Sequence, residues 1–194
     1  MIETFLDIET PDGQMNTFIV HPEEGGPHPA VLFLMDAPGM REEIRDMSRR
    51  LASAGYYVVA SQLYYRDVRE YNLFETGDRE RMRELMSHLT NAMVVEDARA
   101  MIAHAEADPA ADTSKIGTVG YCMSGPFTVA IAAALPNQVT AAASIHGVAL
   151  VTDRDAGDVE GDDAPVTMEA VMAVVADNVD RVKQLLVAAL PDLP

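Results

Sequence analysis

The lone cysteine, Cys122, lies in Gly120-Tyr121-Cys122-Met123-Ser124-Gly125, after the apolar run Ile116-Gly117-Thr118-Val119 and before an alanine-rich stretch. A strand, a tight turn of small residues and a helix would hold this thiol at a nucleophile elbow. There the following backbone N–H points at a developing oxyanion. Such a thiol needs a base, usually a histidine oriented by a carboxylate. The only histidine after Cys122 is His146, one strand further on. A nucleophile position is legible; its partner is not.

Each candidate also has a structural reading. A buried cysteine can be a small core hydrophobe. A thiol of ordinary pKa ~8.5 is only a few per cent thiolate at neutral pH, and a following helix N-terminus supplies part of the required shift. His146 is a candidate base, or a wall residue bonded to backbone. Asp36, at the end of an apolar run, is a site carboxylate or a cap for a helix starting near Arg41. As a site carboxylate it would oppose thiolate formation. Arg79, Arg81 and Arg83 suit a substrate carboxylate or a solvated helix start balanced by Glu80 and Glu84. Tyr64, Tyr65 and Arg66 are expected to line a cleft. His21, His28, His88 and His104 show no metal-ligand spacing, so neither a metal nor a cofactor is expected.

The elements that must position these residues follow from periodicity. Residues 2–20 alternate around Pro11-Asp12-Gly13, as a hairpin does. Ala30 to Met35 and Tyr56 to Ala60 are continuous apolar runs, as strands buried on both faces require. Ile44, Met47, Leu51 and Ala54 recur at helical spacing, and Gly55 supplies a stop. Residues 66–78 are charged and irregular, a surface loop or lid. Met82, Leu85, Met86, Leu89 and Met93 predict one long helix over 79–106. A strand over 116–120, a helix over 126–135 and a strand over 139–145 complete a doubly wound, mostly parallel α/β sheet. Ligands bind such sheets at the strands' carboxyl ends, where Asp36, Cys122 and His146 fall.

Composition narrows the class. The 194 residues suit one domain, and 48% hydrophobic residues suit a packed core. One cysteine excludes an internal disulfide and fits a reducing compartment. No signal-like start or membrane-length apolar run occurs, so a cytoplasmic location is expected. A net charge of −17 argues against nucleic acid. Composition shifts near Asp153: from there on, ten acids face three bases. An acidic linker to Asp163 is followed by a helical pattern from Pro165 to Leu190, striped with Val171, Val174, Val175, Val179 and Val182.

Four segments in register resemble the dienelactone hydrolase family of α/β-hydrolases. They are Val31 through Gly39, Leu63-Tyr64-Tyr65-Arg66, Ile116 through Gly125, and Ala143-Ser144-Ile145-His146-Gly147. The likeness covers residues 1–153, an α/β-hydrolase-like core, and leaves 154–194 as linker and helix outside it. It implies a Cys-His-Asp hydrolase acting on lactones or activated esters. Cys122 is then the nucleophile, the N–H groups of Met123 and Ala37 form the oxyanion hole, and Asp36 matches an acidic position governing the cysteine's charge. Arginines in the region of Arg81 bind substrate in the family. Ser124 stands where glycine is usual, and Ser61-Gln62 replaces Pro-Asp.

The family continues with two more strands carrying the triad aspartate and histidine. After Asp153 neither has a matching position, and no histidine follows. Truncation, a shifted frame and a replaced tail all produce that pattern. The expected sheet therefore lacks the last family strands, and an uncovered edge favours self-association. Two functions remain: weak hydrolysis of a small-molecule ester or lactone, or a non-catalytic remnant that binds small molecules.

Overall fold

The computed structural model describes residues 1–145, which lie in a single compact unit. His146, the acidic linker, the helix over 165–190 and the question of further strands lie outside the described residues.

Strands β1 (Ile2–Thr10) and β2 (Gly13–His21) form the expected hairpin, Thr10 opposite Gly13. Then come β3 (His28–Leu34), α1 (Glu42–Ser53), β4 (Tyr57–Ser61), the single turn α2 (Leu73–Thr76), α3 (Arg79–His88) and α4 (Asn91–Ala107). Strand β5 (Ala111–Tyr121), a 3-10 turn (Cys122–Ser124), α5 (Gly125–Ala134) and β6 (Val139–Ile145) follow. The sheet runs β1-β2-β4-β3-β5-β6. The hairpin is antiparallel to its neighbour, and β4, β3, β5 and β6 are mutually parallel. It is a mixed six-stranded sheet with helices, the α/β class expected.

The two inner strands explain the layers. Along β3 and β4, Leu32, Leu34, Tyr57 and Val59 face one apolar cluster, while Phe33, Val58 and Ala60 face another. The first cluster holds the buried side of α4, including Val94, Ala98, Met101 and Ile102, and Ile131 of α5. The second holds Ile44 and Ala52 of α1. Period-two strands buried on both faces read as unbroken apolar runs, which is why these segments stand out in the sequence.

Three elements differ from the expectation. The helix over 79–106 is two: Leu89 turns extended, and the Thr90 side chain accepts from the Met93 N–H at 3.2 Å, starting α4. A threonine hydroxyl offers the backbone a cap in place of an intrahelical bond. The methionine stripe hides the break because it continues across it. Strand β5 begins at Ala111, five residues before the apolar run, where His28 and Pro29 of β3 pair with Ala111 and Asp112. The irregular 66–78 segment carries one helical turn, α2, that its charge pattern does not announce, and it is anchored: Tyr71 is buried, its hydroxyl donates to the Asp78 carbonyl at 2.7 Å, and the Leu73 N–H donates to the Pro38 carbonyl at 2.9 Å.

Candidate active site

Strand β5 delivers Tyr121 in extended conformation, and Cys122 then takes φ of 52°, the one non-glycine residue of positive φ among those described. For an L-residue that region costs roughly 1–2 kcal/mol, so its surroundings must impose it. Three contacts do so. Gly120 permits close approach: a Cβ there would collide with the Ser124 carbonyl and lie 2.7 Å from Thr128 Cγ2. The Gly125 N–H donates to the Cys122 carbonyl. The buried Ser124 hydroxyl donates to the Met35 carbonyl, tying the turn to the end of β3. Serine in place of the usual glycine therefore adds a strand-to-turn bond. The thiol-bearing residue is exposed. A sharp strand-to-helix turn with an outward side chain is the geometry a nucleophile elbow requires.

Pairing of Leu34 with Gly120 sets the carboxyl ends of β3 and β5 side by side. Residues 35–37 thus leave the sheet next to residues 121–123. Tyr64 links these two exits. Its ring is buried, its hydroxyl donates to the Ala37 carbonyl at 2.9 Å, and it lies 3.3 Å from the Met123 sulfur. Burial raises this hydroxyl well above the ordinary tyrosine range, with Tyr71, Asp36 and Cys122 adding to the effect. It stays protonated as a donor, within electrostatic reach of all three. The sequence places Tyr64 as a cleft-lining residue; in the structure it is a buried brace beneath the arm formed by residues 35–37.

Asp36 is not a helix cap. Helix α1 starts from Arg41 with no side-chain cap, and the Arg41 guanidinium grips the Asp36 carboxylate through two bonds of 2.5 and 2.9 Å. Arg41 also donates to the Gly39 carbonyl at 3.1 Å, closing the Pro38-Gly39 turn. Gly39 has φ of 92°, and a Cβ there would collide with the Tyr71 carbonyl. Arg41 thus fastens one carboxylate and one tight turn beside the arm. The bidentate fork is the strong form of this contact.

Arg81 stands at the start of α3, capped by Asp78 and paired with Glu84 at 2.6 Å. Arg79 and Arg83 share that helix. Arg66 does not reach a cleft: it pairs with the fully buried Asp97 at 2.7 and 2.9 Å and with Asp12 at 2.7 Å. The Tyr65 hydroxyl completes the cluster, 2.9 Å from Asp97 and 2.8 Å from the Thr10 hydroxyl. Burial pushes the Asp97 carboxyl up, against the Arg66 guanidinium and the Tyr65 hydroxyl, which favour its ionised form. No motif marks Asp97; its signal is an acid on the apolar face of α4, three residues from Val94 and four from Met101.

Among the described residues no three metal-ligating side chains converge, and no helix is long and apolar enough to cross a membrane. The arrangement offers a thiol on a strained turn, a braced arm and a clamped carboxylate.

Comparisons with known proteins agree on the lineage. The sequence model of the Dienelactone hydrolase family matches residues 15–189, beyond the point where the sequence motifs end. A "putative carboxymethylenebutenolidase" of Methylorubrum extorquens is 34% identical over 131 residues, which is 68% of this chain and 44% of the relative. The carboxymethylenebutenolidase of Rhodococcus opacus is 30% identical over 111 residues, 57% of this chain and 41% of the relative. A crystal structure of a "putative dienelactone hydrolase" from Klebsiella pneumoniae superposes with a TM-score of 0.67 at 29% identity, covering 75% of this chain and 59% of that one. The chain spans about half the length of the curated relatives it matches.

Proposed function

The chain belongs to the dienelactone hydrolase family, and on that premise we propose that it cleaves lactones or activated esters through a Cys122 thioester. The observation that carries this reading is the positive φ of Cys122 at the exit of β5, held by Gly120 and Ser124. Thiolate attack forms an S–C bond to the carbonyl carbon. The carbonyl oxygen gains negative charge, which the N–H groups of Met123 and Ala37 stabilise. Collapse breaks the C–O bond, and the departing oxygen takes a proton from solvent. Water then hydrolyses the thioester, releasing the acid and restoring the thiol.

Deacylation is the slow step in this proposal. The sequence has no histidine after His146, and we assign the family's acid to no residue after Asp153. His146 has Gly147 beside it, and the next carboxylate is Asp153, so nothing nearby in sequence orients the ring. We assign it no base role. Without an oriented base, residual acceleration rests on oxyanion and binding contributions, ~10³–10⁴ over water in the triad template. A cytoplasmic location, a small ester or lactone as partner, and self-association along β6, whose edge residues are exposed, belong to the same proposal.

Incubation with an activated aryl ester followed by intact-mass measurement tests it. An acyl adduct on Cys122 that outlasts product release marks a nucleophile with impaired deacylation. No adduct favours the second reading, a non-catalytic module that binds small molecules on the same fold.

A further inference from the structure

The Tyr64 hydroxyl stands between two acceptors, 2.9 Å from the Ala37 carbonyl and 3.3 Å from the Met123 sulfur. A phenol carries a single proton, so it donates to one of them at a time. A thioether is a weak acceptor, and the proton therefore goes to the carbonyl. Ala37 is buried, so its carbonyl depends on protein donors such as this one. The arm of residues 35–37 is thus held by a bond that a change at one sulfur atom can redirect.

Oxidation is that change. Methionine sulfoxide replaces an apolar thioether with a polar S–O group, whose oxygen is a far better acceptor. Met123 is only partly buried and follows the exposed Cys122, whereas Met15, Met35 and Met101 are fully buried. The phenol need only turn its O–H to answer the new oxygen, since its ring stays packed edge-on against Tyr71 at 5.8 Å.

We propose that Met123 is an oxidative modification site, and that its sulfoxide draws the Tyr64 proton from Ala37 and loosens the arm. A hydroperoxide supplies the oxygen. The sulfur lone pair attacks one peroxide oxygen, forming the S–O bond as the O–O bond breaks. The proton on the transferred oxygen passes to the departing one. Sulfur is oxidised by two electrons, and the peroxide is reduced to water or an alcohol. The modification and its effect on the arm use no catalytic assignment. Its effect on acylation rests on the hydrolase reading, through the N–H proposed for Ala37.

The test uses the full chain with ¹³C-methyl-labelled methionine, in which the Met123 methyl reports oxidation and the Met35 methyl reports the arm. Cys122 is held as a mixed disulfide with mercaptoethanol during hydrogen peroxide treatment. Dithiothreitol then releases the thiol and leaves sulfoxides in place. We expect oxygen on Met123, a shifted Met35 methyl, and acylation by an activated aryl ester slowed by about tenfold, as loss of one hydrogen bond does. Treated Met123→Leu should keep the Met35 signal and the acylation rate of its own untreated form. Tyr64→Phe has no proton to redirect, so oxidation of its Met123 should change neither readout further. A Met123 that stays unmodified while Met40 is oxidised overturns the site. An oxidised Met123 with an unmoved Met35 methyl overturns the switch, and an equal shift in Tyr64→Phe overturns its route. A Tyr64-dependent Met35 shift without any change in acylation upholds the modification site and counts against the hydrolase reading instead.

Discussion

The Tyr64 hydroxyl donates to the carbonyl of Ala37, so one phenol restrains the backbone just after the N–H proposed for the oxyanion hole. Its second neighbour is the side chain of Met123, the residue proposed for the other N–H. The two halves of the proposed hole, distant in sequence, share one buried brace.

Tyr64→Phe should therefore slow acylation of Cys122 by an activated ester by about tenfold, less than the 10²–10³ of losing an oxyanion donor outright. Alkylation by iodoacetamide develops no oxyanion and should be unchanged. Stopped-flow acylation beside iodoacetamide kinetics separates the two; equal losses in both would mean that the brace acts only on the fold.

Gly120→Ala should deform the elbow, since the new methyl meets the Ser124 carbonyl and Thr128. Overpacking of this kind costs ~1–3 kcal/mol. The unfolding free energy from urea titration should fall by that amount, and the acyl adduct should be lost with it.

Arg66→Met leaves the Asp97 carboxylate buried without its guanidinium. Breaking such a pair from one side costs about 3–5 kcal/mol, and replacing both partners by apolar residues restores much of it. Denaturation of Arg66→Met and of Arg66→Met combined with Asp97→Leu should show that order, with the double variant the more stable.

The acid limb of stability should depend on Arg49, which joins Glu3 of β1 and Glu42 of α1 at 2.8 and 2.6 Å. Hydrogen bonding to Arg49 lowers both carboxyls below their ordinary range. Their stabilisation is complete above the unfolded value of about 4.3 and is lost as pH falls through the lower folded values. These pairs are partly exposed, so each contributes less than ~1 kcal/mol and weakens with salt. Melting curves of Arg49→Gln should converge on the wild type in acid and differ near neutrality.

The strands were the most legible part of the chain. Burial on both faces makes Ala30–Met35 and Tyr56–Ala60 continuous apolar runs, and the small residues around Cys122 announce a turn. What escaped reading depends on tertiary geometry. The Thr90 break is masked because Leu89 and Met93 keep the apolar spacing through it. The Asp36–Arg41 grip closes across Pro38-Gly39, where the Tyr71 carbonyl leaves no room for a Cβ on Gly39. Tyr64 reads as a cleft residue because nothing in Leu63-Tyr64-Tyr65-Arg66 tells which of its aromatic and charged side chains turns inward.

The bond from the Leu73 N–H to the Pro38 carbonyl makes the arm after β3 part of a local opening unit with the segment around α2. That amide can exchange with solvent only when the segment lifts from the arm, whereas the amides of β3 beneath must await a deeper opening. Its hydrogen–deuterium exchange rate is therefore a clock for the arm, readable without substrate or turnover. A compound seated between the arm and the elbow would slow that clock before any product could be detected.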